Sequence, residues 1–288
     1  MCMRKRPPLV LALAIGLVLS ACGGGPGPGA SSSSVPSQAP ADADVSASAA
    51  ATPIPIGTDL NECSTGSPCH CTPDKPCQFG GGGTYATFGR WAFLPGLTMT
   101  IPGGWYSNEQ DAGEFNVLHT RYGSGGLFFW RDMIPVDPDG NHLVDVPSTP
   151  QALTDWFTAN PNLTVTEPES VTIGHGIEAI TFTFTTAPGA RNTDPTCPDY
   201  PPGAAVCFGV FTDPVHWDGS WYTASAHATR LYLASIGPDA SPHLLLVAVQ
   251  GTIEAPSIET DPFVELERIE AAVQPILDSL DVSKVTFN

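Results

Sequence analysis

The segments Arg230-Leu-Tyr-Leu-Ala-Ser-Ile236 and His243-Leu-Leu-Leu-Val-Ala-Val-Gln250 decide the fold of this chain, because both are nearly unbroken apolar runs. A strand with one face in water alternates polar and apolar residues, whereas a strand covered on both faces does not. We therefore expect two central strands of a sheet, with other elements packed on each side of them.

Further strands are predicted before this pair, where apolar residues alternate with polar ones or form short continuous runs. These segments are 97–101, 115–118, 127–130, 163–166, 180–185 and 206–211. A long irregular stretch, 187–205, separates the last two. The chain upstream of the central pair is therefore rich in strands.

Two helices are predicted from their start signals and apolar spacing. Thr149 and Pro150 form a cap and first-position pair, and that helix ends before Pro161. Asp261 and Pro262 open the second helix in the same way. Its apolar stripe, in a segment that Pro275 should bend, consists of Leu266, Ile269, Val273, Ile276, Leu277 and Leu280.

The order of the elements is strands, a helix, more strands and a C-terminal helix. This order predicts an α+β class, with a mainly antiparallel sheet and helices packed on it. Residues 84–288 are long enough to bury one core, so we expect a single domain there.

Two motifs carry a resemblance to a known family: Thr100-Ile-Pro-Gly-Gly-Trp105 and Phe129-Trp-Arg-Asp132. With the element order, they resemble the PsbP-like α/β sandwich of exported bacterial lipoproteins, in particular the LpqN group of the cell envelope. The resemblance covers about residue 88 to the end. It implies non-enzymatic binding or accessory roles, and this chain departs from it in its Cys-rich leader and its 187–205 insert.

The N-terminus has the features of a lipoprotein signal. Arg4, Lys5 and Arg6 precede an apolar run from Leu9 to Leu19 that is too short to span a bilayer. The segment Leu19-Ser-Ala-Cys22 resembles the bacterial lipoprotein processing box, in which the cysteine receives lipid. We therefore expect residues 1–21 to be removed and Cys22 to be the lipidation site, which places the protein on the outer face of the cell membrane.

The charge of the processed chain excludes one class of partner. Removal of residues 1–21 leaves 29 acidic and 8 basic residues, a formal charge of −21. Binding to nucleic acid needs clustered Lys and Arg, and the eight basic residues of the processed chain form no such cluster in the sequence. We expect no nucleic-acid partner, and attachment to the membrane through lipid.

Residues 22–56 consist mainly of Gly, Pro, Ser and Ala, a composition typical of a disordered tether. The segment 57–83 is rich in cysteine, and six cysteines remain after processing and lipidation: Cys63, Cys69, Cys71, Cys77, Cys197 and Cys207. Their number in an exported chain predicts three disulfides, with Cys197 paired to Cys207. The spacing of the first four favours two local disulfides over a zinc site with His70, and leaves three pairings open.

Aromatic residues next to polar ones provide the candidate ligand-binding residues. They are Trp105, Tyr106, Trp217, Trp221 and Tyr222. Such rings can stack on a sugar or hold an apolar tail. The alternative, which we favour, is that they cover the sheet, and we expect Trp130 to be a core residue.

No catalytic, metal or cofactor motif is found. Ser124 lacks the nucleophile-elbow pattern, the acidic cluster Glu109, Asp111 and Glu114 fits a solvated loop, and no phosphate-binding or dinucleotide fingerprint occurs. The acidic segment 137–145 departs from the calcium-loop pattern and predicts a β-turn. The histidines His119, His175, His216, His227 and His243 are scattered singly.

These observations predict an envelope lipoprotein that binds a small amphipathic ligand or another envelope protein without catalysis. Two alternatives remain. One is a hydrolase with a triad assembled from distant residues, and the other is a structural or signalling accessory protein without a small-molecule pocket.

Overall fold

The computed structural model describes residues 54–57, 76–79, 81–88, 93–107, 113–119, 121, 125–137, 139–190, 206–212, 214, 221–224, 227–239, 241–251 and 261–287. Side chains are described at all of these except 54–57, 88, 207, 208, 222 and 224. The signal peptide, Cys22 and all but the end of the predicted tether lie outside the described residues.

Fifteen strands and two helices are found in the described residues. The strands are Ile54–Gly57 (β1), Cys77–Phe79 (β2), Gly83–Phe88 (β3), Thr98–Ile101 (β4), Trp105–Ser107 (β5), Glu114–His119 (β6), Gly126–Arg131 (β7), Ile134–Pro135 (β8), Leu163–Val165 (β9), Glu169–Ile173 (β10), Ile177–Thr186 (β11), Cys207–Thr212 (β12), Trp221–Ala224 (β13), Ala228–Ile236 (β14) and His243–Gln250 (β15). The helices are Pro150–Ala159 (α1) and Pro262–Asp278 (α2).

A nine-stranded sheet forms the centre of the molecule. Its strand order is β10-β11-β14-β15-β7-β6-β5-β2, and β9 pairs with the other end of β11. Every pairing within this sheet is antiparallel. Two smaller sheets, β1-β3-β4 and β13-β12-β8, hold the remaining strands.

The central strand β15 is buried on both faces, which confirms the prediction from its apolar run. Leu245, Val247 and Val249 belong to one buried cluster, together with the apolar stripe of α2 and residues of β3 and β4. The intervening residues, Leu244, Leu246 and Ala248, belong to a second cluster with α1 and β12. We call these the α2-side core and the α1-side core. The large sheet is therefore the middle of three layers.

Both helices begin as the sequence predicts. The Thr149 hydroxyl accepts a hydrogen bond from the Ala152 N–H at 3.3 Å, and α1 ends at Ala159, with Asn160 as its C-cap before Pro161. The Asp261 carboxylate accepts a hydrogen bond from the Phe263 N–H at 2.9 Å, with Pro262 at the first position of α2. All six residues of the predicted α2 stripe are buried.

The predicted α+β class was wrong, and with it the PsbP-like sandwich. Strands dominate the described residues, and small sheets cover the central sheet alongside the two helices. The error arose because segments interpreted as loops are strands. Edge strand β10 is an example, since its sequence ESVTI is largely polar and exposed and shows little of the apolar alternation that indicates a strand.

The turn between β10 and β11 packs on the end of α2 and gives a test of this arrangement. The His175 N–H donates to the Leu280 carbonyl at 2.8 Å. A Cβ at Gly174 would overlap that same carbonyl oxygen, whereas one at Gly176 would meet nothing within 4 Å, and both glycines have positive φ.

We expect Gly176→Ala to lower the free energy of unfolding by about 1 kcal/mol through backbone strain alone. Gly174→Ala should lower it by about 1–3 kcal/mol more, because the turn must also move away from α2. Urea unfolding of both variants measures the difference. Equal losses would mean that the turn does not pack closely on Leu280.

Candidate functional site

Trp221 is half-buried and packs against the α1-side core. Its ring stacks on Phe211, with centroids 4.9 Å apart and planes at 9°, and meets Trp130 edge-on at 5.4 Å. Trp130 itself is 2% exposed, which confirms its predicted place in the core. Trp221 thus attaches the small sheet β13-β12-β8 to the central sheet. The side chain of Tyr222 and all of Trp217 lie outside the described residues.

Trp105 is also buried, so its indole is not available to a ligand. Only 4% of the residue is exposed, and the ring packs edge-on against His119 at 5.1 Å. Tyr106, the next residue of β5, points to the other face of the sheet and is half-buried. Trp105 thus lies in the core and Trp221 packs against it, and whether any of the five candidate residues binds a ligand stays a prediction.

The acidic segment after β8 forms a turn, as predicted. One Asp137 carboxylate oxygen accepts hydrogen bonds from the N–H groups of Asp139 and Asn141, at 2.9 and 2.8 Å. The Gly140 N–H donates to the Asp137 carbonyl at 2.9 Å. These bonds use the carboxylate to close the turn.

Of the six cysteines predicted to pair, only Cys77 has a described side chain. It is buried at the start of β2 and is disulfide-bonded. Cys63, Cys69, Cys71 and Cys197 lie outside the described residues, and Cys207 is described only as backbone. The pairing scheme stays a prediction.

Most of the predicted acidic cluster, and the serine considered as a nucleophile, lie outside the described residues. Glu109, Asp111 and Ser124 are not among the described residues, and Glu114 is half-buried on β6 opposite Trp130. His70 and His216 are likewise not described.

A groove of about 530 Å³ lies between α1 and the edge of the central sheet. Gln151, Asp155 and Thr158 line it from α1, and Glu169 and Ser170 line it from β10. Gln151 donates a hydrogen bond to Asp155 at 2.7 Å, which fixes the helix side of the groove. The side chain of Ile180 and those of Ala159 and Pro168 add apolar surface. This lining of carboxylates, hydroxyls and apolar groups is the candidate binding site.

No pattern in the sequence indicates this groove. Its residues come from positions 151–159, 168–170 and 180, and none of them was singled out as a candidate. Gln151 and Asp155 are one turn apart and share a helix face, which a helical projection would have shown. Their position opposite β10 depends on tertiary packing.

Two histidines for which the sequence indicates no partner each lie within hydrogen-bond distance of a polar side chain in the structure. His243, at the start of β15, places Nδ1 2.7 Å from an oxygen of Asp132, just after β7. His227, just before β14, is buried, and its Nδ1 lies 2.8 Å from the amide nitrogen of Gln250. Burial lowers the pKa of His227 to about 4. Their partners lie 111 and 23 residues away, so spacing could not identify them.

The comparisons add no family assignment. Neither of the described helices combines the length and apolar character that a membrane span requires. No protein-family model matches the chain, and no curated protein matches it.

Proposed function

We propose that this chain is an exported, lipid-anchored protein of the cell envelope, whose folded domain binds a small amphipathic ligand in a groove that does not itself catalyse a reaction. The signal features of residues 4–22 support export and anchoring. The groove between α1 and β10 is the observation that carries the binding role.

The size and lining of the groove support a small molecule as the ligand. Pockets for small ligands typically measure about 300–1,000 Å³, and the 530 Å³ of this groove falls within that range. Asp155 and Glu169 offer acceptors, Ser170 offers a hydroxyl group, and Ile180 offers apolar contact. The lining has no Lys or Arg, so an anionic head group is disfavoured and a neutral or cationic one is favoured.

Native mass spectrometry of the protein purified from its own membrane tests this function. We expect a mass increase at Cys22 from the acyl groups, and a second, non-covalent mass from a retained ligand. Ser170→Trp should lower the amount of retained ligand, because an indole at this lining position takes up part of the 530 Å³ of the groove.

Gln274→Trp is the matched control, since Gln274 is exposed on α2, on the opposite side of the sheet. It should keep the ligand. A protein that carries no small molecule but purifies with another envelope protein would contradict the small-molecule function. Retention of the ligand by Ser170→Trp would contradict its place in the groove.

A further inference from the structure

We propose that His243 and Asp132 form a general-base pair that activates water for the hydrolysis of carboxylic esters, an activity separate from ligand binding in the groove. The pair lies where β7 ends and β15 begins. It supplies the base that general-base catalysis requires, and a carboxylate that orients this base.

The carboxylate determines which nitrogen of His243 is free. Asp132 Oδ2 lies 2.7 Å from His243 Nδ1. A carboxylate accepts hydrogen bonds, so Nδ1 carries the proton of the neutral ring and donates it to Asp132. The lone pair of the neutral imidazole is then on Nε2. This is the tautomer in which Nε2 can take a proton from water.

Asp132 is itself held on several sides. Its second oxygen, Oδ1, accepts the Leu244 N–H at 2.9 Å, and its own N–H donates to the Leu244 carbonyl at 3.0 Å. Its backbone is in the left-handed region, with φ of +55°. Strained backbone of this kind persists where surrounding contacts determine it, and it is enriched at functional sites.

The imidazole is also fixed from its face. Phe287 stacks on His243 with centroids 5.1 Å apart and planes at 4°. The histidine side chain keeps 26% of its surface exposed, so water and a substrate can reach the ring. Arg131 Nε lies 3.6 Å from Asp132 Oδ2, so the carboxylate that orients the imidazole is also held by an ion pair.

The step balances with water as the only co-reactant. Nε2 takes one proton from water while the water oxygen bonds to the ester carbonyl carbon. The tetrahedral adduct breaks its bond to the alcohol oxygen, and that oxygen receives the proton from Nε2. The products are a carboxylic acid and an alcohol, and His243 returns to its neutral form.

A metal-binding role for this histidine is less well supported. Ligating histidines often donate their other N–H to a carboxylate. No group of three or more metal-ligating side chains occurs among the described residues, however. One imidazole alone would leave most positions around a metal ion to water, which favours the acid–base role.

The test is hydrolysis of p-nitrophenyl acetate by the purified full chain, at a temperature where each variant is shown to be folded. We expect His243→Gln to reduce the hydrolysis rate, after subtraction of the rate in buffer alone, by at least about 100-fold. This is the low end of what a positioned general base contributes. His175→Gln is the control. His175 has a side chain 65% exposed and lies 3.8 Å from Asp281, and its loss should leave the rate unchanged.

Asp132 acts by orienting His243. Its test therefore needs a measurement that a loss of structural stability alone would not change. Asp132→Asn should lower the rate at least tenfold and change the pH profile of the reaction, and Asp132→Glu should restore part of the rate. Equal rates in wild type and His243→Gln would overturn the proposal.

Nitrogen NMR of the wild-type imidazole gives a measurement that needs no variant. We expect the Nδ1–H tautomer for neutral His243, and observation of the Nε2–H tautomer would overturn the proposal. Neither outcome depends on a ligand retained in the groove, so failure here and failure of the binding function are distinguishable.

Discussion

Replacing Trp130 with alanine is expected to lower the free energy of unfolding by about 3–5 kcal/mol. Trp130 is the largest fully buried side chain of the described residues. Its ring meets Phe211 at 5.1 Å and Trp221 at 5.4 Å, and Phe128 stacks beside it at 5.7 Å. The loss would be a large part of the stability of a typical domain, about 5–15 kcal/mol.

The cost is high because the cavity cannot collapse easily. Trp130 belongs to β7, which pairs on both sides, with Glu114 of β6 and Leu246 of β15. The strands therefore hold its position fixed, while Phe211 and Trp221 belong to the small sheet β13-β12-β8. That small sheet loses its main aromatic contact with the central sheet when the indole is removed.

Urea unfolding, followed by circular dichroism with the disulfides oxidised, measures this loss. Trp156→Ala is the matched control, because it removes the same side chain from a half-buried position on α1, where the ring packs against Phe157 at 4.9 Å. The control should lose less than half as much stability. Equal losses would show that Trp130 does not hold the two sheets together.

The apolar pattern of the sequence predicts the centre of this fold well. The run 243–250 identifies β15 because burial on both faces requires apolar residues at every position. The helix starts at Pro150 and Pro262 are local events, decided by a cap residue and the proline after it. These features depend on neighbours in the sequence, so the sequence shows them.

The outer strands and the sites were harder to predict for physical reasons. Trp105 and Trp221 are candidates for ligand binding because each is next to polar residues, but both lie on short strands, where Trp105 is buried and Trp221 is half-buried against the core. Their burial depends on which sheet covers them. The contact between His243 and Asp132 depends on the register of β15 against β7, where Leu245 pairs with Arg131. Pairing between strands so far apart leaves no signal in a single sequence.

Acidification should destabilise the protein through His227, and this is the second large effect we expect. The residue is 7% exposed, and burial lowers its pKa from an ordinary 6.5 to about 4. Between these two values the unfolded chain binds a proton at this residue and the folded protein does not. Stability therefore falls as the pH is lowered through this range, and it is fully present above about 6.5.

The size of the effect follows from the two pKa values. The two pKa values differ by about 2.5, which at about 1.4 kcal/mol per pH unit corresponds to about 3.5 kcal/mol, most of it lost between pH 6.5 and pH 4. The contact with Gln250 does not stabilise the protonated form of His227. The Gln250 amide nitrogen is a donor, so His227 Nδ1 must accept, and a proton on that nitrogen would remove the bond. Thr229, the cross-strand neighbour of Gln250, has a buried hydroxyl with no hydrogen-bond partner in the described part of the chain.

Urea unfolding of wild type and His227→Gln, from pH 7.5 down to pH 4.5, isolates this contribution, because the other titrating groups are common to both proteins. We expect the variant to lose about 2 kcal/mol less than wild type over that range, whatever its stability at neutral pH. Since His227→Gln disturbs a buried hydrogen bond, NMR titration of the wild-type imidazole provides the independent measurement. A measured pKa of 6 or above would show that His227 is solvated in the folded protein. Any acid sensitivity would then have to arise from the carboxylates of the protein.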